Sequence, residues 1–224
     1  MANFDRAADS PILARGIQPY IAIHSSPPEE LLVDLAEETR RTFRDVARMQ
    51  IGTELGTLLT MLTASTGARR AIEVGTFTGY SSVCIARGLP ADGQLLCCDV
   101  NEDWTSLARE YWKRAGLDGR IELRLGPAAT TIAALPAEPS YDIAFIDADK
   151  TSYQTYFDLL VPRMRVGGLI VADNVLQGGD VVDAASQEVN VRAIRAFNQA
   201  VVADNRIQAV LLAVSDGLTI ARKL

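Results

Sequence analysis

The chain has 224 residues, 48% of them hydrophobic and 22% charged, with a formal net charge of −6. That length fits one domain and that composition supports a packed core, which excludes a disordered chain, while the acidic balance excludes a phosphate-backbone binder. The longest run without Asp, Glu, Lys or Arg, Leu55 to Ala68, falls short of the ~18 residues that cross a bilayer, and Met1 to Asp9 holds no signal-peptide core, so the expectation is a cytoplasmic protein without a membrane or nucleic-acid partner.

Leu31, Leu32, Leu35, Thr39, Phe43 and Val46 recur at helical spacing and predict an amphipathic helix over 29–48, opened by Pro27 and Pro28. A second helix is expected over 54–64, with Leu55, Leu58, Leu59 and Leu62 on its buried side. From there short apolar strands alternate with helices. Strands over 70–74, 94–99, 121–125, 141–147 and 168–173 are followed by helices over 80–87, 102–115, 128–135, 152–161 and 187–203. Residues 207–214 and 218–223, split by Ser215-Asp216-Gly217, read as a closing hairpin. Parallel strands need crossovers, and those helices cover both faces of the sheet. The expected class is α/β: one Rossmann-like domain with a doubly wound, mostly parallel seven-stranded sheet and a C-terminal antiparallel hairpin. An N-terminal helical cap over 1–48 precedes the core over 49–224.

Cys84, Cys97 and Cys98 are too few for a disulfide framework, and the last two lie in an apolar strand as reduced packing residues. His24 is the one histidine, so a zinc site or a catalytic triad has too few ligands or partners, and His24 reads as a loop residue. Arg40, Arg41, Arg44 and Arg48 read as a solvated face paired with Glu37 and Glu38.

In open α/β sheets ligands bind outside the carboxyl ends of the strands. The first strand ends in Glu73-Val-Gly75-Thr76-Phe-Thr-Gly79-Tyr-Ser81, a turn with G-x-x-x-G spacing rather than the G-x-G-x-x-G dinucleotide fingerprint. Glu73 is costly to bury unless something pairs with it; an ammonium on a ligand would serve and a pyrophosphate would be repelled. Asp99, ending the second strand, either accepts ribose hydroxyls or caps the next turn. The fourth and fifth strands end in Asp147-Ala-Asp149-Lys150 and Asp173-Asn174. If these strands are neighbours, Asp147, Asp173 and Asn174 supply three hard oxygen ligands for Mg²⁺ or a similar cation such as Ca²⁺ or Mn²⁺, a reading preferred over loop capping. Lys150 beside such a cation suits a general base; the plain alternative is an exposed lysine.

Glu73 to Ser81, Gly126-Pro-Ala128, Phe145-Ile-Asp-Ala-Asp-Lys150, Gly167-Gly-Leu-Ile-Val-Ala-Asp-Asn174 and Asp216-Gly-Leu-Thr219 together resemble the cation-dependent O-methyltransferases, the caffeoyl-CoA and catechol O-methyltransferase-like group. The resemblance runs from Met49 onward and implies an S-adenosylmethionine site lined by Met49, Ile51, Glu73, Gly75, Thr76, Ser81, Asp99 and Ala128, with Asp149 and Tyr156 as further contacts. It implies Asp147, Asp173 and Asn174 as metal ligands, and Lys150, with Asp147, as the catalytic pair. It also implies a homodimer whose N-terminal segment contributes to the acceptor cavity and the interface. The implied reaction is methyl transfer to one hydroxyl of a catechol-type small aromatic diol. A non-catalytic dimeric S-adenosylmethionine-binding protein and an NAD-dependent oxidoreductase are the alternatives. Gln177 stands where family members often carry Trp, beside the implied acceptor pocket, and the negative net charge disfavours a polyanionic coenzyme A ester.

Overall fold

The computed structural model describes residues 16–224; the expectations for Met1 to Asp9, and for the rest of the cap before Gly16, lie outside them. Three helices come first: α1 (Ile17–Ile23), α2 (Glu30–Thr42) and α3 (Thr53–Ser65). The alternating part follows as β1 (Arg70–Val74), α4 (Tyr80–Gly88), β2 (Gln94–Asp99), α5 (Glu102–Arg114), β3 (Ile121–Leu125), α6 (Ala128–Ala134), β4 (Tyr141–Ile146), α7 (Tyr153–Leu160), β5 (Met164–Asp173) and α8 (Val189–Ala203). A hairpin of β6 (Ile207–Leu212) and β7 (Leu218–Lys223) closes it.

The seven strands form one sheet in the order β3-β2-β1-β4-β5-β7-β6. The first five run parallel, and β7 enters antiparallel against β5, with β6 outside it. This is the expected doubly wound sheet with its closing hairpin. Alternate residues of each strand serve opposite cores, as the two-residue period of a strand requires. Ala71, Leu95, Cys97, Ile143, Phe145 and Val171 pack with α2 to α5 on one face. Ile72, Val74, Leu96, Cys98, Ala144 and Ile146 pack with α6 to α8 on the other. Cys97 and Cys98 therefore point to opposite sides, both buried and both free.

The helix expected over 29–48 is shorter. It ends at Thr42, Phe43 leaves helical geometry with φ −120°, and a 3-10 turn over Ala47–Met49 follows. The apolar period continues past the break because the Phe43 ring still faces inward, 6.2 Å from that of Phe77. Helix α1 has no counterpart in the expectation. It ends at His24, whose ring stacks on Tyr20 at 4.0 Å and so belongs to a helix end rather than a free loop. Strand β5 starts at Met164, four residues earlier than expected, because Tyr141 pairs with Met164 and Ile143 with Leu169 across a register shift. Strand β6 stops at Leu212.

Helix α2 is fastened over the sheet by polar contacts. The Thr39 hydroxyl donates to that of Thr78 at 2.9 Å, and Tyr111 of α5 donates to Glu38 at 2.8 Å. Arg41 pairs with Glu38 in the open, matching the solvated-face reading of the arginine cluster.

Candidate active site

The strand order turns back between β1 and β4, and at such a switch point open α/β sheets bind their ligands beyond the carboxyl ends of the strands. Backbone bonds interlock the strand ends: Gly75 N–H donates to Cys98 O at 2.9 Å and Asp147 N–H to Val74 O at 2.8 Å. Gly75 has φ +90°, and Gly79, also at +90°, opens α4 hard against Ala108 and Trp112. Both positions need the left-handed conformation that glycine adopts freely.

Asp99 is buried at the end of β2 and holds this turn. One carboxylate oxygen accepts from the N–H groups of Thr76 and Phe77 at 2.9 and 2.8 Å, and the other accepts from Asn101 N–H at 2.9 Å. Its carbonyl accepts from Gly126 N–H at 2.9 Å, which brings Gly126-Pro127-Ala128 to the same strand ends. Glu73 is fully buried beneath the turn. Burial pushes its carboxyl up to about 7, against the opposing influence of Ser81, Cys97 and Thr76. The Cys97 thiol donates to one of its oxygens at 3.3 Å, while Oε1 and the nearby Thr76 hydroxyl have no hydrogen-bond partner. A buried carboxylate oxygen without a donor is costly, and a cationic ligand head would complete it.

Strands β4 and β5 are neighbours, with Ile146 beside Ala172, so the residues that follow, Asp147 and Asp173, leave the sheet side by side. Asp173 is almost fully buried. Burial, and then the adjacent Asp147 charge, hold its carboxyl well above the ordinary range. Asn174 takes a left-handed conformation, φ +56°, and its N–H donates back to Asp173 at 2.7 Å. Lys150 is not exposed: its ammonium donates to Asp147 Oδ1 at 3.0 Å and to the Tyr153 hydroxyl at 2.7 Å. Among the described residues no group of three or more His, Cys, Asp and Glu side chains is disposed to hold a metal ion, so the candidate set depends on the Asn174 amide beside two carboxylates.

The sequence-predicted residues therefore fall into groups. Glu73, Gly75, Thr76, Ser81, Asp99 and Ala128 meet around the β1–β2 end. Asp147, Lys150, Asp173 and Asn174 meet around the β4–β5 end. Asp149 forms its own pair, accepting from the Tyr156 hydroxyl at 2.6 Å. Ile51 is packed into the core before α3, and Met49 stands exposed two residues earlier. Two residues were given no role by sequence. Tyr153 looks like an ordinary aromatic of an amphipathic helix, yet its hydroxyl lies among the β4 and β5 ends. Asp216 belongs to a quoted motif, and it accepts from Gly178 N–H at 2.6 Å, pinning the loop after β5 to the hairpin. In that loop Gln177, at φ +46°, turns its amide onto the Asn174 carbonyl at 2.8 Å.

Residues 22–224 match the family model described as O-methyltransferase. Probable caffeoyl-CoA O-methyltransferase 1 of Dictyostelium discoideum is 42% identical over 161 residues, 70% of either chain. The structure of the O-methyltransferase from Bacillus cereus in complex with SAH superposes with a TM-score of 0.84 at 30% identity, over 93% of this chain and 97% of that one. TomG of Streptomyces achromogenes, an O-methyltransferase of tomaymycin synthesis in complex with SAM, gives a TM-score of 0.84 at 28% identity, over 92% and 95%.

Proposed function

The chain belongs to the O-methyltransferase family, and from that premise we propose that it transfers the methyl group of S-adenosylmethionine to one hydroxyl of a vicinal dihydroxy aromatic molecule, with a divalent cation, Mg²⁺ first, held at Asp147, Asp173 and Asn174. The observation that carries the reading is the adjacency of the two residue groups. Asp147 leaves β4 hydrogen-bonded to Val74, one residue from Gly75, so a cofactor seated at the β1–β2 end lies next to the oxygen cluster.

Each group fits its proposed ligand chemically. The unpartnered Glu73 Oε1 suits the ammonium of an amino-acid moiety, with Ser81 and Thr76 nearby. Asp99 stands where ribose hydroxyls would come, and Ala128 opens α6 beside it. Two carboxylates and an amide are a hard, doubly negative donor set, and the crowding of Asp147 against Asp173 is relieved by positive charge between them.

A bound divalent cation would favour the ionised form of a phenol, which is otherwise mostly protonated near neutral pH. Lys150, hydrogen-bonded to Asp147, would take up the departing proton as a neutral amine, the form that a divalent cation nearby favours over the ammonium. A cofactor held by Glu73 and Asp99 would supply the sulfonium methyl, its C–S bond breaking as the O–C bond forms and S-adenosylhomocysteine leaving, and holding the two reactants in near-attack geometry would supply much of the acceleration. The proposed partners are the aromatic acceptor and a second copy of the chain. Among the described residues no helix is long and apolar enough to cross a membrane.

The test is methyl transfer from S-adenosylmethionine to a panel of catechols with Mg²⁺, then with excess EDTA. Turnover abolished by EDTA and restored by Mg²⁺ supports the whole reading. Turnover indifferent to EDTA overturns the cation, and no turnover with any catechol overturns the acceptor class.

A further inference from the structure

Lys150 is one of three lysines in the chain, with Lys113 and Lys223. Its side chain is only 14% exposed, and its two described acceptors differ in kind. Asp147 is charged; the Tyr153 hydroxyl, 2.7 Å away, is neutral. That hydroxyl is itself fixed from several sides. It donates to the Asp173 carbonyl at 3.0 Å, with the Ile146 carbonyl at 3.4 Å, so its one proton is committed to the strand ends and a lone pair faces Lys150. The ring has no exposed surface and stands edge-on to Phe197 at 5.5 Å.

We propose that Tyr153 is a positioning residue for methyl transfer, its buried hydroxyl holding the Lys150 side-chain nitrogen at the ends of β4 and β5. The inference rests on the reading of Lys150 as the group that receives the phenol proton. A lysine has a long flexible stem, and a base works only within hydrogen-bond reach of the proton it takes. Asp147 alone is a poor anchor, because the same carboxylate is a candidate cation ligand. Tyr153 offers an acceptor that remains in place when that charge is engaged.

The test compares Tyr153→Phe, Lys150→Met and the double variant in methyl transfer from S-adenosylmethionine to 3,4-dihydroxybenzoate with Mg²⁺, alongside thermal unfolding. Lysine acetylation by acetic anhydride, followed residue by residue in a mass spectrometer, supplies a readout independent of turnover. Tyr153→Phe is expected to lose on the order of 10- to 100-fold in kcat with both KM values within about twofold. Lys150 should acetylate several times faster in that variant, with Lys113 and Lys223 unchanged. The double variant should be no slower than Lys150→Met, since Tyr153 acts through Lys150. Losses that multiply in the double variant, or an unchanged kcat in Tyr153→Phe, overturn the proposal while leaving the Lys150 reading intact. Wild-type turnover in Lys150→Met overturns that reading and the proposal with it. Should Tyr153→Phe fail to fold, the wild-type protein still decides: Lys150 acetylating as fast as exposed Lys113 shows no anchored nitrogen and overturns the proposal.

Discussion

Gly75 and Asp147 are packed backbone to backbone: a Cβ on Gly75 would stand 2.7 Å from the Asp147 carbonyl carbon and closer still to its oxygen. The turn beneath the proposed cofactor and the start of the proposed cation site thus share one wall. Gly75→Ala has to leave the φ +90° conformation or push β4 away. The conformational part alone costs about 1–3 kcal/mol. Calorimetry of this variant should find S-adenosylmethionine binding lost, together with a lowered melting temperature; wild-type affinity would show that the wall can yield.

Glu73 sets a pH dependence. Its carboxyl titrates near 7 in the folded chain against an ordinary 4.5, so the folded state holds a proton that the unfolded state has released. The stability contribution is complete below about pH 4.5 and is lost as pH rises towards 7, an effect of roughly 3 kcal/mol. Glu73→Gln should flatten that slope in melting curves of the ligand-free protein. A ligand ammonium requires the ionised carboxylate, so S-adenosylmethionine should bind the wild type about tenfold more weakly at pH 6 than at pH 8. In Glu73→Gln binding should be weak at both.

Asp173 pulls in two directions. Burial and the Asp147 charge raise its carboxyl well above the ordinary range, so with no cation bound its charged form costs stability. Asp173→Asn should therefore melt higher than wild type in EDTA at pH 7.5, and Mg²⁺-dependent turnover should fall on the order of 100-fold or more. Asp173→Ala should likewise lose Mg²⁺-dependent turnover and leave S-adenosylmethionine affinity nearly unchanged. Full activity in either variant would remove Asp173 from the metal set.

A hydroxyl pair, Thr39 and Thr78, links the cap to the site. Thr39→Val deletes the donor to Thr78, inside the turn held by Asp99, and leaves the buried Thr78 oxygen without it. Chemical denaturation should show a loss of about 1 kcal/mol. An unchanged midpoint would mean that Phe43 and Phe77 carry the contact without it.

What the sequence made legible was whatever has a period or a fixed neighbour. The strands from Arg70 onward alternate apolar residues between glycine turns, and the residues at their carboxyl ends single out Glu73, Asp99, Asp147 and Asp173 from sequence order alone. Helix α2 was overextended because Phe43 and Val46 continue the apolar period after the backbone has turned, and periodicity records which side a residue faces, not the path of the chain. The role of Tyr153 was hidden for a different reason. A ring in the core and a hydroxyl on a lysine satisfy the same pattern, and only the adjacency of β4 and β5 separates them. Asp216 likewise depends on β7 reaching β5, a pairing between distant parts of the chain.

That pairing has a consequence for synthesis. The hydrogen bonds that Asp99 makes to Thr76, Phe77 and Gly126 lie within residues 70 to 128, and β1 gains its other neighbour, β4, by residue 147. The Asp173 side waits longer: β5 gains its second neighbour, Leu218 opposite Asp173, and the Asp216 tether to Gly178 only when residues 216 to 223 have left the ribosome. A chain emerging from its N-terminus can therefore complete the proposed cofactor side before the proposed acceptor side. A product truncated before Asp216 would keep the first and lack the second.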